Sequence, residues 1–454
     1  MGEQQVKPKK YSRGLFLFTD DLRVDDHHLL SLATAECQAL ACVYVLQPWQ
    51  FDPMWTLQSG MGRERFRFLM ETLQDLSRQL KTRGLRLDIR IGHTTQLISK
   101  LVNAHDFKAV YRSMTAGNYE QKQWQHLRHK LPDTSLISGH TRSLFHLDQL
   151  PFELSGLSPS FTPFRKRIEA ADLQPSPAPP LVAVNRLELS SKDHTEERLM
   201  SWLALVDSGQ ADNGFIGGTV AGEQHLARYF SSAAPSNYKT VRNALDGWAN
   251  STKFSPWLAL GSLSPGQIHE RLKQYEMQHG ANESTYWIYF ELLWREYFYW
   301  SGYLHGARLF WPGGVKGKPQ VSLVDGLTLE RFQAWCQGQT GNPLIDACMG
   351  QLNQTGYMSN RGRQLVASEL INERQVDWRW GAAYFEQHLI DYDVGSNWGN
   401  WQYIAGVGAD PRGGRHFNIL KQQEQHDPQG LFAEAWADSE KARCISWQDL
   451  RSVD

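Results

Sequence analysis

Cysteine is scarce and scattered in this chain. Five residues (Cys37, Cys42, Cys336, Cys348 and Cys444) are spread over 454, odd in number and in no CxxC pair. That spacing argues against a disulfide framework and a zinc site, and it makes a reducing cytosol the default compartment. Charge of one sign is not in excess either, since 47 Lys and Arg face 48 Asp and Glu for a formal net charge of −1. A broadly basic surface is thereby excluded, so any contact with nucleic acid has to come from a local patch. No uninterrupted apolar run approaches the roughly 18 residues that a membrane helix needs. The N-terminal MGEQQVKPKKYSRG has no apolar core for a signal peptide, and Val6 spoils the myristoylation pattern after Gly2. A soluble, cytoplasmic protein is expected. No GxGxxG or GxxxxGK[ST] supports a conventional dinucleotide or phosphate loop.

What the chain does have is tryptophan: 17 residues, of which 14 lie from Trp202 onward. Such a bias gives the two parts of the chain different tasks. In the first part, short apolar or alternating runs at 14–18, 39–46, 85–91, 107–111 and 134–138 read as strands. Helical patterns lie between them, the clearest at 62–82, where Leu69, Leu73, Leu76 and Leu80 recur at three- and four-residue spacing and Gly84 follows as a stop. Strands alternating with helices imply a parallel sheet covered on both faces. An α/β domain of about five strands is expected over 10–140. Asp20-Asp21-Leu22-Arg23, directly after the first strand, sits where such folds place ligand-contacting loops, although capping the next helix suits it better. Periodicity then fades, and Pro175-Ser-Pro-Ala-Pro-Pro180 reads as a stiff connector within a linker over 141–205. Beyond it, aromatic-rich helical patterns at 265–279, 284–303, 328–337, 344–354, 362–374 and 380–390 predict an all-α domain over 206–454.

The densest chemistry lies in Asp391-Tyr-Asp-Val-Gly-Ser-Asn397-Trp-Gly-Asn-Trp401. Carboxylates two apart cannot share a helix face, so Asp391 and Asp393 suit a turn or an element end. Gly395 and Gly399 allow the backbone to approach something closely. A metal fits poorly, because the stretch offers no His or Cys and too few carboxylates for a hard cation. A flat heterocycle fits better: carboxylates accept from ring N–H or ribose hydroxyls, a neutral Asn donates or accepts, and Trp stacks or passes electrons. A glycine-rich turn with packed aromatics and Asx caps is the alternative. Upstream, Ser251-Thr-Lys-Phe-Ser255 places three hydroxyls and a cation before Pro256, suited to a diphosphate cradle or to helix capping. Glu291, Trp294 and Arg295 share one helix face, for a site or for ion pairing. Asn360-Arg-Gly-Arg363 opens another helix, and Arg363 could pair with a carboxylate of the stretch above.

The segments LWREYF, TGYMSNRGRQ, DWRWGAAYF, IDYDVGSNWGNWQYIAGVG and FNILKQ…DPQG resemble the photolyase/cryptochrome family, specifically its DASH-type cryptochromes. The resemblance covers both domains and is densest over 214–430. It implies an α/β domain, a linker wrapped across the surface, and a helical domain holding FAD. On this sequence, Tyr238, Ser251, Thr252, Lys253, Phe254 and Ser255 match positions that hold the FAD phosphates and ribose. Arg295, Arg363, Asp391, Tyr392, Asp393 and Asn397 match those around the isoalloxazine, with Asn397 facing N5. Glu291, Trp294 and Asn360, with Gln364 and Tyr403, match the wall that receives a cyclobutane pyrimidine dimer. Trp401 and Trp378 match the inner and middle members of an electron-transfer chain.

The sequence also departs from relatives. Tyr403 and Gln364 stand where many photolyases have Trp and Met, which implies a more polar, less tightly stacking pocket. The outer tryptophan of the chain is missing, with Asp325 ten residues before Trp335, so electrons have to leave through another aromatic, for which Trp311 or a nearby Tyr is the expectation. Val110–Gly117 lacks the Glu that many relatives use to hold a folate antenna (methenyltetrahydrofolate), which leaves that cofactor open. The implied activity is light-driven repair of pyrimidine dimers, preferentially in single-stranded DNA, by a monomer. A blue-light receptor signalling through flavin photoreduction is the alternative.

Overall fold

In the computed structural model of the chain, the residues described are 9–52, 58–189, 194–206, 213–318, 325–437 and 442–453. The reading of the N-terminal segment falls largely outside them. Five strands, β1 (Tyr11–Phe18), β2 (Cys37–Leu46), β3 (Leu87–Ile91), β4 (Ala109–Ser113) and β5 (Ser135–Gly139), pair in parallel in the order β3-β2-β1-β4-β5. They coincide with the expected runs to within a few residues. A sheet buried on both faces needs apolar side chains at every position. In β1, Phe16 and Phe18 enter one core with Leu69 and Leu73, while Leu15 and Leu17 enter another with Val43 and Trp124. Each such side chain contributes about 1.5–3 kcal/mol on burial. The helices α1 (His28–Glu36), α2 (Arg63–Thr82), α3 (Thr94–His105) and α4 (Asn118–Lys130) supply the covers.

The loop after β1 does not cap α1. His27 is the N-cap, its ring accepting from the Leu30 N–H, while Asp21 is fully buried 2.9 Å from His27 Nε2 and accepts from Ser113 Oγ. Asp20 instead reaches Arg142 at 3.2 Å.

The polyproline segment follows α1: Ser31 Oγ donates to the Pro179 carbonyl at 2.5 Å, and the Ala178 N–H to Asp26 at 2.9 Å. The linker carries more regular structure than its fading periodicity indicated, with α5 (Phe161–Ala170) and α6 (Thr195–Ala204). Trp202 of α6 lies inside the α/β core. The chain also returns there at its other end, where Cys444–Ile445 pairs antiparallel with Met61–Gly62 and Leu450 is fully buried in the same core. A division at residue 206 therefore does not separate the cores cleanly.

The helical part contains α7 (Pro265–His279), α8 (Glu283–His305), α9 (Gly326–Cys336), α10 (Pro343–Thr355), α11 (Asn360–Ser368) and α12 (Trp378–His388), within or close to the expected spans. Past Ser368 the backbone relaxes into a π turn over Glu369–Glu373. A further helix, α13 (Val394–Ala405), occupies most of the stretch for which a glycine-rich turn is the alternative reading. Its glycines serve helix packing: a Cβ on Gly395 would stand 2.8 Å from the Phe298 carbonyl, and one on Gly399 2.3 Å from the Phe298 ring. The close approach is to α8, not to a ligand.

Candidate cofactor and substrate site

A cavity of about 480 Å³ opens among α8, α11, α13 and the loop at 251–255. Tyr238, Ser251, Thr252, Lys253, Phe254, Ser255, Glu291, Trp294, Arg295, Asn360, Arg363, Gln364, Asp391, Tyr392, Asp393, Asn397, Trp401 and Tyr403 all line it. Trp378, matched to the middle of the electron-transfer chain, stands outside the lining.

The floor is ionic. Arg363 Nη2 donates to Asp391 Oδ2 at 2.8 Å and its Nε to the Met358 carbonyl at 2.9 Å. Burial alone would lower the guanidinium's pKa, but the adjacent Asp391 outweighs it and the net shift is upward. Asp391 Oδ1 is buried with no hydrogen-bond partner, a deficit on the order of 1–3 kcal/mol unless a ligand donor fills it. Asp393 caps α13 by accepting from the Ser396 N–H at 2.8 Å, and its Oδ2 accepts from Arg142 at 2.6 Å. Burial would raise its pKa, but Arg142 and Arg295 outweigh that and hold it low, so it stays ionised. Asn397 Nδ2 is anchored on the Ala382 carbonyl at 2.9 Å, which leaves the amide oxygen available to the cavity.

One wall is cationic. Lys253 adopts φ +55°, which costs a non-glycine residue about 1–2 kcal/mol. Strain of that kind is kept where function needs the geometry. Its ammonium is buried, 3.5 Å from the Tyr357 hydroxyl and 4.4 Å from that ring's centroid. Phenol contact does not neutralise a buried cation, so an anionic group completes this corner. An unpaired carboxylate oxygen and a buried ammonium lining one cavity suit a ligand that carries both a heterocyclic N–H donor and a phosphate.

At the mouth, Glu291 is taken by Arg242, not by Arg295, whose Nη1 donates instead to the Arg142 carbonyl at 2.5 Å. Burial raises the Glu291 pKa, and Arg242 opposes the rise without cancelling it. Trp294 stacks on Phe161 with centroids 3.8 Å apart at 11° and meets Tyr403 edge-on at 5.8 Å. The Tyr403 hydroxyl accepts from Arg415, which pairs with the buried Asp410 at 3.2 Å. Asn360, the first residue of α11, is exposed at the rim.

Behind the cavity, Trp401 packs edge-on to Phe385 at 5.1 Å and Trp335 at 6.2 Å. Trp378 donates from Nε1 to the Pro312 carbonyl at 3.0 Å and meets Trp398 at 5.8 Å. Asp325 caps α9, accepting from the Thr328 N–H at 2.7 Å. A second cavity of about 330 Å³ lies between the domains, lined by Asp20, Trp49, Arg65, Tyr119, Glu120, Trp311, Glu386, Tyr392 and Trp398 among others. A search for a carboxylate within 110–117 misses Glu120, which burial and then Asp20 push up to about 7. A folate ring would find aromatic walls and this carboxyl here.

Sequence reasoning missed Arg242, Arg142 and Arg415. Arg242 stands four residues after Tyr238, a spacing that could have revealed it; Arg142 and Arg415 leave no local signal.

Residues 14–180 match the family model "DNA photolyase" and residues 287–443 match "FAD binding domain of DNA photolyase". FAD is accordingly the cofactor of the helical domain. A protein of Idiomarina loihiensis named Cryptochrome DASH is 44% identical, covering 98% of this chain and 96% of its own length. A Cryptochrome DASH of Vibrio parahaemolyticus is 45% identical over 93% of each chain. Among solved structures, a Synechocystis cryptochrome superposes with a TM-score of 0.83 at 37% identity, covering 94% of this chain and 89% of that one. A class III photolyase of Agrobacterium tumefaciens gives 0.77 at 25% identity, covering 96% and 88%. Identity of this extent over nearly the whole chain makes it a member of the photolyase/cryptochrome family, in its DASH-type cryptochrome branch.

Proposed function

We propose that the protein repairs cyclobutane pyrimidine dimers under blue light and prefers them in single-stranded DNA. The observation that carries this reading is convergence: Glu291, Trp294, Asn360, Gln364 and Tyr403 line the same cavity as the residues suited to the flavin. Reduced FAD, once excited, supplies the electron that opens the dimer. Asp391, Arg363 and Asn397 hold and orient the ring; Lys253 and the hydroxyls of Ser251, Thr252 and Ser255 face the phosphates. Glu291 shares a proton with the dimer's carbonyl edge as negative charge develops there, a task that an oriented acid performs better than water. Release from Arg242 lets burial act unopposed on Glu291 and favours its protonated form.

Preference for single strands follows from the weak stacking surface. Extruding a dimer from a duplex costs a few kcal/mol. One face of Trp294 is already covered by Phe161, and the Tyr403 phenol is engaged by Arg415, so little stacking energy remains to offset that cost.

The test is to reduce the purified protein and measure thymine recovery under blue light from single- and double-stranded dimer oligonucleotides. Recovery from the single strand, and less from the duplex, is expected. No recovery from either substrate replaces this reading by that of a light receptor.

A further inference from the structure

Trp398 precedes Trp401 by three residues on α13, and residues three apart on a helix are neighbours. Trp401 lines the flavin cavity whereas Trp398 lines the second one, so the two indoles stand in the wall between them. The Trp398 indole Nε1 lies 3.1 Å from Glu386 Oε2 and 3.3 Å from the Tyr392 hydroxyl. The Tyr392 hydroxyl and the Glu386 carboxylate thus meet at one indole nitrogen, and Tyr392 borders both cavities. Glu386 is partly buried and lines the second cavity. Burial raises the Glu386 pKa, which makes it a stronger base than an ordinary carboxylate. The Arg65 guanidinium lies 4.8 Å from the Tyr392 ring centroid. A cation over the ring opposes positive charge on it, so the phenol is best oxidised as its proton leaves.

We propose that Tyr392, acting through Trp398, is the terminal electron donor when light-excited, oxidised FAD is reduced in this protein, with Glu386 receiving the phenolic proton. Trp401 gives one electron to the excited flavin. Trp398 refills Trp401, across the helix turn or by way of Trp378. Tyr392 refills Trp398, its O–H bond breaks, and the proton passes to a Glu386 oxygen. The balance is one electron gained by FAD, a neutral tyrosyl radical at 392 and a protonated Glu386. The site is thus closed electronically without an outer tryptophan at Asp325.

This inference rests on the flavin occupying the first cavity, but not on dimer repair. The experiment is time-resolved absorption and electron paramagnetic resonance of the FAD-loaded protein under blue light, without DNA. Wild type should form a neutral tyrosyl radical. Tyr392→Phe, compared per bound FAD, should lose it in favour of a short-lived tryptophanyl radical, with loss of lasting photoreduction. Glu386→Gln should slow tyrosyl formation, and Trp311→Phe should change nothing. A wild type without tyrosyl radical, or a radical that survives Tyr392→Phe, overturns the proposal. Should that variant fail to hold FAD, ring-deuterated tyrosine in the wild type must narrow the radical's lines; unchanged lines are equally fatal. Absent repair with the tyrosyl radical intact would sink the proposed function and leave this route standing.

Discussion

Replacing Gly381 by alanine should push Trp401 into the cavity proposed for the flavin. A Cβ at this position of α12 would stand 2.2 Å from Trp401 Cη2, 2.6 Å from its Cζ3 and 2.7 Å from Leu370. Ordinary carbon contact is about 3.5 Å, so the indole has to retreat by about 1.3 Å. Trp401 is 2% exposed and is backed by Phe385 and Trp335, which leaves the cavity it lines as the open direction. Overpacking costs about 1–3 kcal/mol, and the helix propensity of alanine over glycine offsets about 1 of it. The net loss in stability is then on the order of 0–2 kcal/mol, while bound FAD falls markedly. The assay is the ratio of released flavin to protein, with a urea midpoint measured on the same preparation. Phenylalanine lacks both Cη2 and Cζ3, so adding Trp401→Phe should remove the clash and restore FAD. A double-mutant cycle should show favourable coupling on the order of 1 kcal/mol. Full FAD in Gly381→Ala alone, or strictly additive effects in the double variant, would refute the reasoning.

Glu120 titrates at about 7 in the folded protein against an ordinary 4.5. The folded state thus holds this proton more tightly, so the associated stability is complete below pH 4.5 and is lost as pH rises through about 7. Glu120→Gln should flatten the dependence of the melting temperature between pH 5 and 8 and raise it at the alkaline end; an unchanged pH profile counts against the burial of that carboxyl. Glu291→Gln should lower the yield of dimer repair more than DNA affinity, and Trp294→Ala should weaken binding by about 1 kcal/mol, the low end for a stacking platform. Both are read from quantum yields and binding isotherms on one oligonucleotide, and the opposite pattern would exchange the two roles.

The five strands were legible because a sheet buried on both faces leaves unbroken apolar runs, as in Leu15 to Phe18. α13 was hidden for the opposite reason. Gly395, Ser396, Asn397 and Gly399 are poor helix formers, and their place in a helix is decided by Phe298 of α8, about a hundred residues earlier. The floor of the site was readable where both partners lie in motif-dense stretches, as with Arg363 and Asp391, 28 residues apart. Arg142 and Asp393, or Glu291 and Arg242, meet only through tertiary packing, so their residue types announced charge without naming a partner.

The strand at Cys444–Ile445 and the buried Leu450 have a consequence for synthesis. The α/β domain emerges from the ribosome first, yet its core is finished by residues translated after the whole helical domain. Until they arrive, Met61 and Gly62 present an unpaired edge and the pocket for Leu450 stays open. The nascent first domain is therefore held incomplete while the flavin-binding helices form. A tag or cleavage that disturbs 444–452 should be felt in the domain farthest away in sequence.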